Sequence, residues 1–270
     1  MKISFENTKI AFHYKTDKEL RRAYFLFNII KKPFMVSIGS QLLKFAIFTG
    51  FPIKWIVKPT IFRHFCGGES IPESMKVVRR LENYNVKSIL DFSMEGKETE
   101  AAYESALKET LDTIENAHRF TSIPFAVFKP TGFTKNSVLT KESRGEKLSK
   151  EENSEFEKFR IRVSALCKNA YEKNVPILID AEDVAFQKAI DDLVTEMMEK
   201  FNREKAIVFN TLQMYRVDRM DFLKELYKKS QNEKFYPGIK LVRRSYMEKE
   251  RERAKREGYS SLGHPHHRLE

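Results

Sequence analysis

The chain has 270 residues, enough for one large domain or two modest ones. Apolar residues make up 41% and charged residues 32%, which excludes a wholly disordered chain and allows a packed core. Against 38 Asp and Glu stand 49 Lys and Arg; the net charge of +11 favours anionic partners (phosphates, anionic lipid or nucleic acid) without choosing among them.

The opening segment MKISFENTKIAFHYKTDKELRR has no apolar core of the secretory kind, and Glu6, Asp17 and Glu19 argue against a transit leader. No apolar run reaches about 18 uncharged residues, so no spanning helix is expected. Cys66 and Cys167 are far apart and fit no zinc spacing. They suit a reducing compartment and read as buried apolar groups, and no metal site is expected. The expected location is a bacterial-type cytoplasm, with peripheral contact at the inner membrane left open.

Residues 1–85 form a first, helical region rich in aromatics. Asp17 is placed to cap a helix over LRRAYFLFNIIKK. In SIGSQLLKFAIFTGFPIKWIVKPTIFRHF, the residues Gly50, Pro52 and Pro59 break an apolar stretch into short helices. The basic, aromatic part of it suits anionic lipid, but the preferred reading is a helical subdomain covering the βα domain, with Trp55 in core or interface packing. CGGES marks a turn, and IPESMKVVRRLENYN reads as an amphipathic helix with Met75, Val78 and Leu81 on one face.

Residues 86–258 change rhythm. Five short, β-rich runs (SILDFS, PFAVFKPTGF, VPILIDAED, KAIVFNTLQMY and PGIKLVRRSY) alternate with charged helices. The helices are expected over 99–117, 153–172, 184–201 and 219–229. Strand then helix, repeated, implies parallel strands joined by crossovers. Five strands are too few for a closed eight-stranded barrel and enough for an open doubly wound sheet. No strand ends in GxGxxG, so a Rossmann dinucleotide site is not supported. The charged helix MEKERERAKREGY reads as a solvated face. Residues 259–270 read as a disordered or atypical tail, its three histidines solvated.

In parallel βα architectures the chemistry sits at the C-terminal tips of the strands. Those tips hold Asp91, Ser93 and Glu95; Lys129 and Thr131; Asp180, Glu182 and Asp183; Asn210, Thr211 and Gln213; Lys240, Arg243, Arg244 and Tyr246. A charge buried without a partner costs several kcal/mol, so these groups must pair with each other or with a ligand. A site lined by Lys129, Asp180, Asn210, Gln213, Lys240 and Arg243 suits an anionic cofactor and a small charged substrate.

The segments LDFSMEGKE, VFKPTGF, ILIDAED, VFNTLQMYRVDR and KLVRRSYMEKERERA resemble, in order and spacing, the proline dehydrogenases in their monofunctional bacterial form. The resemblance implies an α/β fold: an incomplete (βα)8-type barrel of about five strands behind an N-terminal helical subdomain. It implies FAD as cofactor, L-proline as substrate, Δ1-pyrroline-5-carboxylate as product and a quinone as electron acceptor, with no nucleic-acid partner. It assigns Lys129 to the substrate carboxylate, Asp180 to the flavin and substrate, and Tyr246 to the substrate. Asn210, Gln213, Lys240 and Arg243 fall to the flavin, and Glu95 to a gating ion pair with an arginine of a last helix. The family pattern has glycine where Arg244 stands, and it continues beyond Tyr259 for three more βα units, so the chain is expected to be truncated. A catalytically inactive remnant and a basic membrane-surface protein remain as alternatives.

Overall fold

The computed structural model describes residues 6–91, 98–243 and 245–263. The chain divides into two compact units, Met1–Ser88 and Ile89–Glu270; the sequence reading had put the boundary at 85/86.

The first unit is helical: α1 (Thr8–Ala11), α2 (Asp17–Ile30), α3 (Pro33–Phe48), α4 (Lys54–Val57), a π-helical turn (Lys58–Phe62), α5 (Arg63–Phe65) and α6 (Ile71–Glu82). The cap of α2 is Thr16 rather than Asp17. Its hydroxyl accepts the Glu19 N–H while the Glu19 carboxylate accepts the Thr16 N–H at 2.9 Å, a reciprocal capping box. Pro33 opens α3, where its missing N–H costs no helical bond. Of the face predicted for α6, Met75 and Val78 are buried.

The second unit alternates helix and strand: α7 (Glu100–Arg119), β1 (Ala126–Phe128), α8 (Asn136–Ser143), α9 (Lys150–Glu172), β2 (Ile177–Ile179), α10 (Gln187–Phe201), β3 (Val208–Gln213), α11 (Arg219–Glu233), β4 (Gly238–Val242) and α12 (Met247–Glu257). The four strands form one parallel sheet in the order β1-β2-β3-β4, and it does not close on itself. The expected first strand contributes a single parallel bridge, Leu90 to Ala126; residues 92–97 lie outside the described part. The unexpected helix is α8, which is short and follows a 3-10 turn at Pro130–Gly132.

Side chains alternate between the two sheet faces. On one face Ala126, Phe128, Ile177, Ile179 and Val208 join Leu166, Ile190, Val194 and Met198 of the helices in a single apolar core. The alternate positions Val127, Leu178, Phe209 and Gly238 stand in register across the other face. A Cβ at Gly238 would lie 2.3 Å from the Val208 carbonyl oxygen, so the strands can approach there only with glycine.

Three local expectations need correction. Cys167 is buried in the core as expected, but Cys66 is exposed. Trp55 is 84% exposed, so it is not in the core. The charged helix α12 is not merely solvated: Lys249 and Arg253, one turn apart, both bind Asp183, and Glu250 is buried. The carboxylate of Glu250 also accepts the Tyr259 hydroxyl at 3.0 Å and the Leu262 N–H at 3.2 Å, and the Val217 N–H reaches the Leu262 carbonyl at 2.9 Å. Residues 259–263 are therefore held against the unit. His264, His266 and His267 lie outside the described residues. Among the described residues no helix is long and apolar enough to cross a membrane.

Candidate active site

Two residues past the row Val127–Leu178–Phe209–Gly238, strand alternation puts Lys129, Asp180, Thr211 and Lys240 in the next row of the same face. The row is paired throughout. Lys129 Nζ lies 3.1 Å from Asp91 Oδ2, and Lys240 Nζ lies 2.5 Å from Asp180 Oδ1. The Thr211 hydroxyl sits 3.5 Å from that same oxygen. The charged members of the row are partly exposed, which suits groups that hold a ligand as well as each other, whereas Thr211 is buried.

Beyond the row lies Glu182, which is 3% exposed. Its carboxylate accepts the Thr131 hydroxyl at 2.8 Å and the Tyr246 hydroxyl at 2.5 Å. Burial pushes its pKa above the ordinary carboxylate range; the Tyr246 and Thr131 hydroxyls and the Lys129 cation pull it down without reversing that, and the nearby Asp180 carboxylate adds to the rise. Tyr246 reaches it from the residue before α12, in the left-handed region at φ 66°. Gln213 donates to the Glu182 carbonyl at 2.7 Å, and its own buried side-chain oxygen has no hydrogen-bond partner among the described residues.

Asn210 faces the other way. Its amide donates to Asp191 of α10 at 2.9 Å and its oxygen accepts the Thr211 N–H at 2.8 Å. Asp191 also binds Gln187 at 2.9 Å and Arg219 at 2.6 Å, so this network underlies the strand tips from the helix side. Arg219 further pairs with Asp218, whose carboxyl the Arg219 and Arg216 guanidiniums hold down at about 2 against the opposing effect of burial. On the loop after β2, Asp183 resists burial in the same sense: the Ala185 N–H, Lys249 and Arg253 keep it below its usual value.

Of the residues chosen from sequence, Lys129, Asp180, Lys240 and Gln213 therefore lie on one face, with Tyr246 joined to them through Glu182. Asn210 lies behind them. Arg243 is exposed just past the end of β4, where strand alternation has stopped. Glu95, Ser93 and Arg244 lie outside the described residues. Sequence reasoning put Glu182 and Thr131 at strand tips but gave them no role. It missed the Asp191–Arg219 pair, for which the only signal was a carboxylate four residues after Gln187 on an otherwise apolar helix face.

The comparisons agree with this architecture. The family model described as proline dehydrogenase matches residues 74–267. The chain is 33% identical over 187 residues to the carbapenem antibiotics biosynthesis protein CarD of Pectobacterium carotovorum subsp. carotovorum, covering 69% of this chain and 50% of that protein. It is 27% identical over 283 residues to the mitochondrial proline dehydrogenase 1 of Dictyostelium discoideum, covering 88% and 50%. The chain thus spans about half the length of these curated relatives. The proline utilization A (PutA) structure from Bdellovibrio bacteriovorus superposes with a TM-score of 0.64 at 15% identity, over 96% of this chain and 27% of that one, a likeness of fold. With a family match that takes in all four strands and every described residue of the polar row from Lys129 to Lys240, the chain belongs to the proline dehydrogenase family.

Proposed function

We propose that the chain takes part in flavin-dependent oxidation of L-proline to Δ1-pyrroline-5-carboxylate, with a quinone as the electron acceptor. The observation that carries this reading is the polar row Lys129–Asp180–Thr211–Lys240 at the C-terminal tips of a parallel sheet, in a chain of this family.

The residues fit FAD in two respects. The Lys240 cation stands in the polar row, suited to an electron-rich ring system, and the buried oxygen of Gln213 awaits a donor. When bound, the flavin would accept a hydride from the ring carbon beside the proline nitrogen. The chain's own groups orient and charge the site. Lys240, held by Asp180, supplies a cation where negative charge accumulates. Arg243 adds a second cation toward the cofactor's polar parts, and Gln213 offers its amide. Asn210 acts through Thr211, whose N–H it fixes. Lys129 faces the substrate carboxylate, and Tyr246, oriented by Glu182, borders the substrate. No side chain of the row is a dedicated base; the proton of the proline nitrogen leaves to water.

The test is spectroscopic and kinetic. The purified chain should carry a flavin absorbance band and reduce a dye acceptor in a proline-dependent manner. Lys240→Met should lower kcat/KM roughly 100-fold or more while leaving the circular dichroism unchanged. A chain with neither bound flavin nor proline-dependent turnover belongs to the inactive reading, and full activity in Lys240→Met would remove the role given to that cation.

A further inference from the structure

The first unit holds an open hollow of about 1040 Å³, and all of its lining residues belong to that unit. Six cations line it against two carboxylates, Glu19 and Glu73. The carboxylates are already engaged. Arg80 Nη1 lies 2.8 Å from Glu19, and Lys58 Nζ lies 2.5 Å from Glu69 and 3.8 Å from Glu73. Arg22, Arg63 and Lys76 also line the hollow and have no carboxylate partner among the described residues.

Much of the remaining wall is aromatic: Tyr14, Trp55, Phe62, His64 and Phe65. Tyr14, Phe62 and His64 are half-buried, and edge contacts to Phe27 and Phe65 hold the His64 ring. Trp55 is 84% exposed, so its ring surface is free. Lys58, Pro59 and Phe62 reach the hollow from the π-helical turn, a widened winding that recurs at functional sites. The backbone adds donors. Gly67 and Gly68 border the hollow, and their N–H groups make no hydrogen bond among the described residues. A Cβ at Gly68 would lie 2.6 Å from Glu73 Cβ and 2.8 Å from the Ser74 nitrogen, so this loop fits against the start of α6 only with glycine.

Cations and free N–H groups hold phosphate oxygens. Aromatic rings and arginine planes hold a base by stacking. A bare phosphate would fill little of this volume and use none of the rings. A nucleic-acid strand needs a cationic groove that tracks successive nucleotides, whereas these cations converge on one hollow. We propose that the hollow binds a free nucleoside polyphosphate. The base lies against Trp55 and Phe62, and the phosphates lie among Arg22, Arg63, Lys76 and the Gly67 and Gly68 N–H groups. This is a binding site additional to the polar row of the second unit, and it involves no redox step.

The full chain is titrated with ATP, without magnesium, proline or acceptor. Binding is followed by calorimetry and by emission from Trp55, the chain's single tryptophan. The proposal expects saturable heat and quenching, with ATP bound roughly 10-fold more tightly than inorganic tripolyphosphate. Trp55→Ala should erase that advantage and leave tripolyphosphate binding unchanged. Arg63→Ala/Lys76→Ala should weaken both ligands roughly 30-fold. Both of those side chains are exposed, so the circular dichroism should not change. Absence of saturable ATP binding would overturn the proposal. Equal affinity for ATP and tripolyphosphate would do the same, since the rings would then hold nothing. So would tighter binding of oligodeoxyadenylate than of ATP, or displacement of bound flavin by ATP, which would put the nucleotide at the strand tips instead. Because the titration needs no turnover, a chain inactive toward proline gives the same result.

Discussion

Asp180 and Glu182 stand two residues apart, yet their surroundings treat them differently. Asp180 keeps partial exposure and a lysine partner, whereas Glu182 is buried against two hydroxyls. A carboxyl whose folded pKa is raised stabilises the fold fully below its unfolded pKa, and that contribution is lost as pH rises through the folded value. For Glu182 the window therefore opens at about 4.5 and extends upward. Glu182→Gln should remove the loss, so its urea midpoint should fall less than the wild type's between about pH 4.5 and 7. Identical slopes in the two proteins would sink the assignment. Asp191 is buried too, but its carboxylate has three side-chain partners, Gln187, Asn210 and Arg219. Asp191→Ala leaves Asn210 and Gln187 without their acceptor and Arg219 with Asp218 alone. A loss of about 3 kcal/mol in urea unfolding is expected.

At the scale of elements, β4 is the informative strand. It pairs with β3 along its length, and the near approach at its start depends on Gly238. Gly238→Ala meets a carbonyl oxygen and the Phe209 ring, neither of which can retreat easily, so it should destabilise by about 1–3 kcal/mol and loosen the Thr211–Lys240 register within the site. Unfolding midpoints and bound flavin should fall together. Leu241 points to the helix side but is 62% exposed, since no described helix covers it. Leu241→Lys should change stability by no more than about 0.5 kcal/mol and should reduce self-association measured by light scattering. Helix α12 shows the other use of charge: its basic positions one turn apart close on Asp183, tying it to the loop after β2.

At the scale of the molecule, the acid limit of stability follows from the depressed carboxyls. Asp218 titrates at about 2 in the fold against an ordinary 3.8, and Asp183 is also lowered. Their contributions are complete above about pH 4 and disappear as pH falls through the folded values. Asp218→Asn should therefore flatten the acid transition between about pH 4 and 2 while lowering stability at pH 7, as read from thermal midpoints. The net charge of +11 is gathered unevenly, with the acid-free stretch from Leu20 to Gly68 inside one compact unit and the charge-paired strand tips inside the other.

Short, nearly continuous β-rich runs, helical spacing and the rule that βα sites lie at strand tips made the parallel sheet legible in the linear order of residues, and singled out Lys129, Asp180, Gln213 and Lys240 as tip residues. Those signals are local: each says which residues share a face. Which distant group a residue meets is a property of three dimensions. Asp191 and Arg219 are 28 residues apart, and Tyr246 finds Glu182 across 64. That Asn210 turns toward the helices, that Glu182 joins the tyrosine to the row, and that Trp55 stands in the open all followed from packing, because burial and partner are assigned only when separate segments are brought together.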